Sequence, residues 1–306
     1  MTKSIETMQK GFGGVLEPVW FLSANCQIRL IIERRGPEDG PLYLLLPALS
    51  TISSRSEWKD CAQSLGNEYH IVSFDWPGFG DSERPKISYN IETLKLALRA
   101  VLQHLKKFKP KSIILVAAGH SASVALAMAT ESSEKWSKLI LVAPTWRGPL
   151  PTMTSWHPKR FGWLRDLVAL PILGPVLYQL NTSRAILKFM LRRHVWVQTN
   201  WLTNESLLAQ QKISRRAGSR FASVAFVTGG LDPAGDRSWW LRQIKKLQCA
   251  VHVVIAKQAP PRSKREMELL ADHAQQTSEI NGRLGLHQEF GAMLSEQLIT
   301  SSVDCC

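Results

Sequence analysis

No uninterrupted apolar run in this chain reaches the roughly 18 residues that a membrane-spanning helix needs. The nearest stretch, 112–129, is broken by Gly119, His120 and several serines. It reads as buried strand, turn and helix. The first ten residues, MTKSIETMQK, hold no apolar segment of signal-peptide type, so no signal peptide is expected. Cysteine is scarce: Cys26, Cys61, Cys249, Cys305 and Cys306, an odd number without metal-ligand spacing. That argues against a disulfide scaffold or a cysteine-held zinc and fits a reducing compartment. The expected location is cytoplasmic. The terminal Cys305–Cys306 pair is read as an unmodified tail rather than a lipidation site. Low-complexity tracts and internal repeats are missing too. The one early glycine cluster, GFGG at 11–14, precedes every predicted strand, so it does not read as a phosphate-binding loop. Neither a metal nor an organic cofactor is implied.

Acidic residues are missing from one region in particular. Between Arg147 and Arg220 there are twelve Lys and Arg but only two acids, Asp166 and Glu205, so this segment carries +10 of the net +13. The rest of the chain is close to neutral. With 306 residues, 44% of them hydrophobic, the chain is long enough for a sizeable core with an insertion.

Strand-like runs alternate with helix-like stretches in the first half. CQIRLIIERRG (26–36), LYLLLPALS (42–50), HIVSFDWPGFG (70–80), SIILVAAGH (112–120) and KLILVAPT (138–145) read as strands. Amphipathic segments such as IETLKLALRAVLQHLKKF (91–108) fill the gaps. Continuous apolar strands alternating with helices predict an α/β fold, a mostly parallel doubly wound sheet covered on both faces. The pattern breaks at 147–220, which is rich in Trp and Arg and interrupted at Pro171 and Pro175. Strand patterning is read again at SVAFVTGG (223–230) and AVHVVIA (250–256). The expected organisation is therefore an N-terminal extension at 1–25, a core at 26–146 and 221–298, an inserted helical cap at 147–220, and a tail at 299–306.

The motif that carries chemistry is GHSAS, 119–123, between the apolar run SIILVAA and the helix-like VALAMA. A serine is a poor nucleophile unless a base takes its proton and donors hold the developing oxyanion. A tight strand-to-helix turn lifts such a hydroxyl clear of the sheet, and small flanking residues let strand and helix pass closely. Gly119, Ala122 and Ser123 are small, so Ser121 is the candidate nucleophile. Of the eight histidines, His287 in GRLGLHQEF lies on a glycine-rich loop after the last sheet-like segment, where the base of such a site belongs. The acid has two readings. FVTGGLDP (226–233) presents Asp232 at the end of a strand-like run. If 251–270 is the penultimate strand, loop and helix, the acid position instead holds Lys257 and Gln258. Glu266 and Glu289 are the remaining carboxylates considered, and Asp232 is the leading one.

FDWPGFGDSERP, GHSAS and GLHQEF together resemble the α/β-hydrolase superfamily, over about 26 to 298. PALSTISSRSEW, ILGPVLYQLNTSR, GGLDP, PPRSKREMELL and GLHQEF resemble one branch found in bacteria, including cyanobacteria, and in plastids. The resemblance implies a hydrolase that attacks a small hydrophobic ester, of carboxylesterase or lipase-like type. Backbone N–H groups of Leu49 and Ala122 would form the oxyanion hole. The loop around Asp75 would be structural, and a Ser in the elbow argues against epoxide or haloalkane chemistry, which uses an Asp. Two departures stand out. AKQAPP lacks the glycine and acid that the branch carries before its PP-S loop, and PAL (47–49) replaces the usual His-Gly. The missing acid motivates a competing expectation, a catalytically weak binding protein. The apolar stretch LVALPILGPVLYQL (167–180) suits an apolar substrate chain, and the cap's charge suits contact with an anionic membrane surface. No nucleic-acid partner is expected.

Overall fold

The structure, a computed structural model, describes residue 8 and residues 11–131, 136–233 and 236–303. Cys305 and Cys306 lie outside the described residues. Eight strands form one sheet: β1 (Val15–Ser23), β2 (Cys26–Arg35), β3 (Leu42–Leu46), β4 (His70–Phe74), β5 (Ile113–Ala118), β6 (Lys138–Val142), β7 (Ala250–Ala256) and β8 (Gln276–Ile280). Their spatial order is β1-β2-β4-β3-β5-β6-β7-β8. The β1–β2 and β2–β4 pairs are antiparallel, and the remaining pairs are parallel. Every residue of β3, β4 and β6 is buried. Apolar runs without alternation form these strands because helices cover both faces of the sheet.

Six of the predicted strand-like runs form strands, and three readings change. Val15–Ser23, read as part of an extension, is β1. It pairs with β2 through a two-residue turn in which Ala24 and Asn25 take φ of 49° and 58°, the conformation whose twist suits a hairpin. Gln276–Ile280, too polar to read as a strand, closes the far edge as β8, where only its last residue is buried. The run at 223–230 is not a strand: Ser219–Val227 is a helix. A short buried apolar run has no periodicity that separates strand from helix. The small residue Ala222 lets this helix pack onto the loop after β4, where a Cβ on Gly78 would fall 2.2 Å from the Ala222 Cβ. Among the described residues, the connection between β6 and β7 holds helices and no strand, from Pro149–Thr154 to Arg237–Lys246.

A buried ion cluster ties the β2 side of the sheet to the loops above it. Arg55, 2% exposed, lies on the single helical turn Arg55–Trp58. Its guanidinium reaches Glu33 on β2 at 3.0 Å, Asp75 just after β4, and Asp81 at 3.0 Å. Its backbone N–H donates to Asp75 Oδ1 at 2.7 Å. Glu33 also accepts from Gly11, Phe12 and Gly14 N–H at 2.6 to 2.9 Å, so the GFGG segment is anchored on this carboxylate. A Cβ on Gly14 would meet the Arg34 carbonyl oxygen at 2.3 Å, which explains a glycine there.

Two expected outcomes follow from the buried charges. Arg55→Met leaves Glu33 and Asp75 without their cation and should cost about 3–5 kcal/mol of stability in urea unfolding. His252, on β7, sits 2.8 Å from Ser278 Oγ through Nε2, with its Nδ1 buried. Burial and then the Lys138 charge lower its pKa from 6.5 to about 4. The folded state therefore disfavours the charged ring. Stability is full above pH about 6.5 and is lost as pH falls towards 4, by about 3 kcal/mol from this group. The urea midpoint of His252→Gln should be flatter than that of the wild type across this window.

Candidate active site

The strand-to-helix junction at 119–121 is built as the sequence requires, with one difference. β5 ends at Ala118, and Ser121 opens the helix Ser121–Glu131. The left-handed residue is Gly119, at φ 53°, and Ser121 does not have a positive φ. A Cβ on Gly119 would press on the Ala48 Cβ at 3.2 Å, so glycine serves both the turn and the approach of the β3 loop. Ser121 is fully buried. Its hydroxyl donates to the Pro47 carbonyl oxygen and accepts from Trp76 Nε1 at 3.0 Å. The same indole N–H also reaches Pro47 O at 3.0 Å. The side chain of Ser123, in the place where a glycine is usual, bonds to the Thr145 carbonyl at 3.3 Å.

His287 lies on the short helix Leu286–Glu289, after β8, and is fully buried. Its Nε2 is 3.1 Å from Glu57 Oε2, and its ring packs 5.1 Å from that of Trp58. Its Nδ1 is buried and makes no hydrogen bond among the described residues. Glu57 also accepts from Ala48 N–H at 2.9 Å and from Ser54 N–H at 3.2 Å. Burial pushes the Glu57 carboxyl above its ordinary range, while His287 and the two backbone donors pull it back. A carboxylate accepts but does not donate, so an ionised Glu57 places the ring proton on Nε2 and leaves a lone pair on Nδ1. Among the described residues, no hydrogen bond joins Ser121 Oγ to His287.

The other expected acids lie elsewhere. Asp232 Oδ1 accepts from Gly148 N–H at 2.9 Å and sits 3.2 Å from His120 Nε2. Neither ring nitrogen of His120 has a hydrogen bond among the described residues, so that contact is an approach of two buried groups rather than a directed bond. The reason for this position is local. Residues 219–227 are helical, so Asp232 leaves a helix end near Gly148 instead of a strand end facing His287. Glu266 pairs with Arg237. Glu289 holds Val197 N–H and Gln198 N–H at 2.8 to 3.0 Å. Lys257 pairs with Glu279 at 3.0 Å, and Gln258 bonds to Asn281 at 2.9 Å. Among the described residues, Glu57 is the carboxylate within ion-pair distance of His287. Sequence reading missed it, although SSRSEW carries a Ser-x-x-Glu capping signature at Ser54–Glu57. Trp76 was missed as well; it adjoins Asp75, which pairs with Arg55.

Of the expected oxyanion donors, the Leu49 N–H has no hydrogen bond among the described residues, and the Ala122 N–H reaches Gly119 O at 3.2 Å within the turn. Among the described residues, no group of three His, Cys, Asp or Glu side chains is placed to hold a metal ion.

The helical insertion is latched to the His287 loop. Leu284 N–H donates to His194 O at 3.2 Å, Gly285 N–H to Val195 O at 3.0 Å, and Trp196 Nε1 to Gln288 Oε1 at 3.1 Å. Ile52, just beyond the Pro47–Leu49 loop, packs with Leu187, Leu191 and Trp196. Ser121 and His287 are both fully buried.

A model of the Alpha/beta hydrolase family matches residues 44–275, more than half of the chain. No curated protein sequence matches it. Several solved structures share its fold. Cfl2 wild-type from Burkholderia cenocepacia is 22% identical with a TM-score of 0.70, over 94% of this chain and 95% of that one. A thermophilic esterase from Thermogutta terrifontis is 18% identical with a TM-score of 0.69, over 95% and 99%. The enol-lactonase from Burkholderia xenovorans LB400 is 15% identical with a TM-score of 0.66, over 89% and 96%. No helix among the described residues is long and apolar enough to cross a membrane by itself. Sheet order, strand-to-helix serine and family match agree, and the chain belongs to the alpha/beta hydrolase family.

Proposed function

We propose that this hydrolase-family chain is a serine carboxylesterase for a small hydrophobic ester, with Ser121 as nucleophile, His287 as base and Glu57 as the carboxylate that orients the base. The observation that carries the reading is the bare, buried Nδ1 of a histidine whose other nitrogen is held by Glu57. A neutral imidazole in that state has its lone pair ready for a proton.

In the arrangement described above, the Ser121 proton points at Pro47 O and the oxygen is not activated. Rotation of the hydroxyl towards His287 Nδ1 transfers its hydrogen bond to a base, while Trp76 Nε1–H can keep donating to the oxygen. Attack on the ester carbonyl then forms the Ser121 Oγ–carbon bond, and the proton passes to Nδ1. The carbonyl electron pair moves to the oxyanion, which the N–H groups of Leu49 and Ala122 would receive. Collapse expels the alcohol, protonated by His287. Water, deprotonated by the same nitrogen, releases the acid and restores Ser121. Throughout, Glu57 would stabilise the imidazolium.

A second reading is supported by the same closed geometry. With the Ser121 hydroxyl tied to Pro47 O and no bond to His287, the chain would be a binding protein that retains the pocket. A fluorophosphonate probe and a p-nitrophenyl ester series separate the two. The hydrolase reading expects labelling and turnover in the wild type and neither in Ser121→Ala. Absence of both in the wild type would favour the binding protein.

The acid assignment has its own test. Glu57→Gln should lower kcat by about 10²–10⁴, by analogy with loss of an orienting carboxylate, while Asp232→Asn should stay within a few-fold of wild type. The reverse result would sink Glu57 as the partner of His287. The pH profile adds an independent readout. The ionised form of Glu57 is the one needed and its pKa is raised. Activity should therefore fall on the acid side at a pH above the ordinary carboxylate value of 4.5, with a limb that Glu57→Gln alters.

A further inference from the structure

The helix Leu173–Asn181 is turned the wrong way for a helix at a water-facing surface. It buries Gly174 and Tyr178. Its outward residues Leu173, Val176, Leu177 and Leu180 are 53%, 53%, 38% and 61% exposed, an apolar stripe at i, i+3, i+4 and i+7. The orientation is locked. A Cβ on Gly174 would fall 2.0 Å from the Val168 carbonyl oxygen, so only glycine fits against the preceding helix Gly162–Ala169. On the same buried side, Tyr178 Oη bonds to Ser214 O and to Ser223 Oγ, each at 2.9 Å. The helix cannot roll its leucines inward without breaking both contacts. The elements on either side continue the pattern. Ile172 is 77% exposed and Trp163 64%. The helix Arg184–Met190 buries Leu187 and leaves Phe189 and Met190 in solvent.

The charge around this face is mostly positive, the exposed acid Asp166 on the Trp163 helix being the exception. From residue 167 to 204 the chain has no Asp or Glu. Arg184, Lys188, Arg192 and Arg193 are all exposed there. Exposed apolar residues bordered by cations complement an interface with an apolar interior and an anionic rim. The segments Pro158–Ala169 and Leu173–Asn181 together are apolar enough for a span but meet at 110°, which suits lying along a surface rather than crossing it.

We infer that the exposed residues Trp163, Ile172, Leu173, Val176, Leu180 and Phe189, with the cations Arg184, Lys188, Arg192 and Arg193, dock on an anionic lipid bilayer. A second copy of the chain fits less well, because a twofold pairing of this face would bring its cations against one another. The inference does not depend on the proposed ester chemistry.

Flotation of the full chain with vesicles tests it. The wild type should rise with phosphatidylcholine vesicles containing phosphatidylglycerol, bind pure phosphatidylcholine far less, and be released by salt. Lys188→Gln/Arg192→Gln/Arg193→Gln should weaken the partition coefficient at least about tenfold. Val176→Asp/Leu180→Asp should abolish flotation, with the far-ultraviolet circular dichroism spectrum unchanged. Failure of the wild type to float would overturn the inference, as would binding that both variants retain. Sedimentation velocity covers the competing occupant. A wild-type dimer that Val176→Asp/Leu180→Asp converts to monomer would make the face a self-interface and also overturn it.

Discussion

The buried guanidinium of Arg55 organises both halves of the candidate site. Its carboxylate partners come from β2, from the residue after β4, and from the loop beyond. Charges taken this far out of water are tolerable only when each is paired and hydrogen-bonded, so the geometry has little freedom. Asp75 is adjacent to Trp76, whose indole holds Ser121. Arg55 shares its single helical turn with Glu57, which holds His287. The DWPGFGDS loop and the SSRSEW turn are thus pinned to each other by charge, and each carries one of the residues that bond to Ser121 or His287.

Between these two arms lies the short segment Pro47–Ala48. The carbonyl of Pro47 takes the Ser121 and Trp76 donors, and the N–H of Ala48 goes to Glu57. One peptide unit therefore bonds both to Ser121 and to the partner of His287. Proline has no N–H to offer a substrate, but its carbonyl is what this resting arrangement uses. The N–H at Leu49, without a hydrogen bond among the described residues, is the next along the chain.

The helical insertion combines two surfaces with opposite demands. Towards the core, its segment around Val195–Gln198 is fastened to the His287 loop through backbone bonds and the Glu289 carboxylate. Away from the core, it carries the exposed apolar stripe and its cations. The insertion is thus fastened to the His287 loop on one side and exposes its apolar stripe on the other.

The central strands, the strand-to-helix serine and the histidine loop were legible in the amino-acid order because each rests on local chemistry. A sheet covered on both faces needs unbroken apolar runs such as LYLLL and KLILV, and a tight junction needs small residues around Ser121. The basic character of 147–220 was legible for the same reason, since charge is a property of composition. The edge strand β8 escaped notice because an edge needs backbone pairing but little apolar surface. The helix at 219–227 was misread because burial erases the periodicity that separates helix from strand. The partner of His287 was decided by tertiary structure alone. Asp232 and Glu57 both precede His287, by 55 and 230 residues, and neither separation shows which carboxylate the ring will meet. Only the folding of the SSRSEW turn beneath the His287 loop, held there by Arg55, determines which of them the imidazole meets.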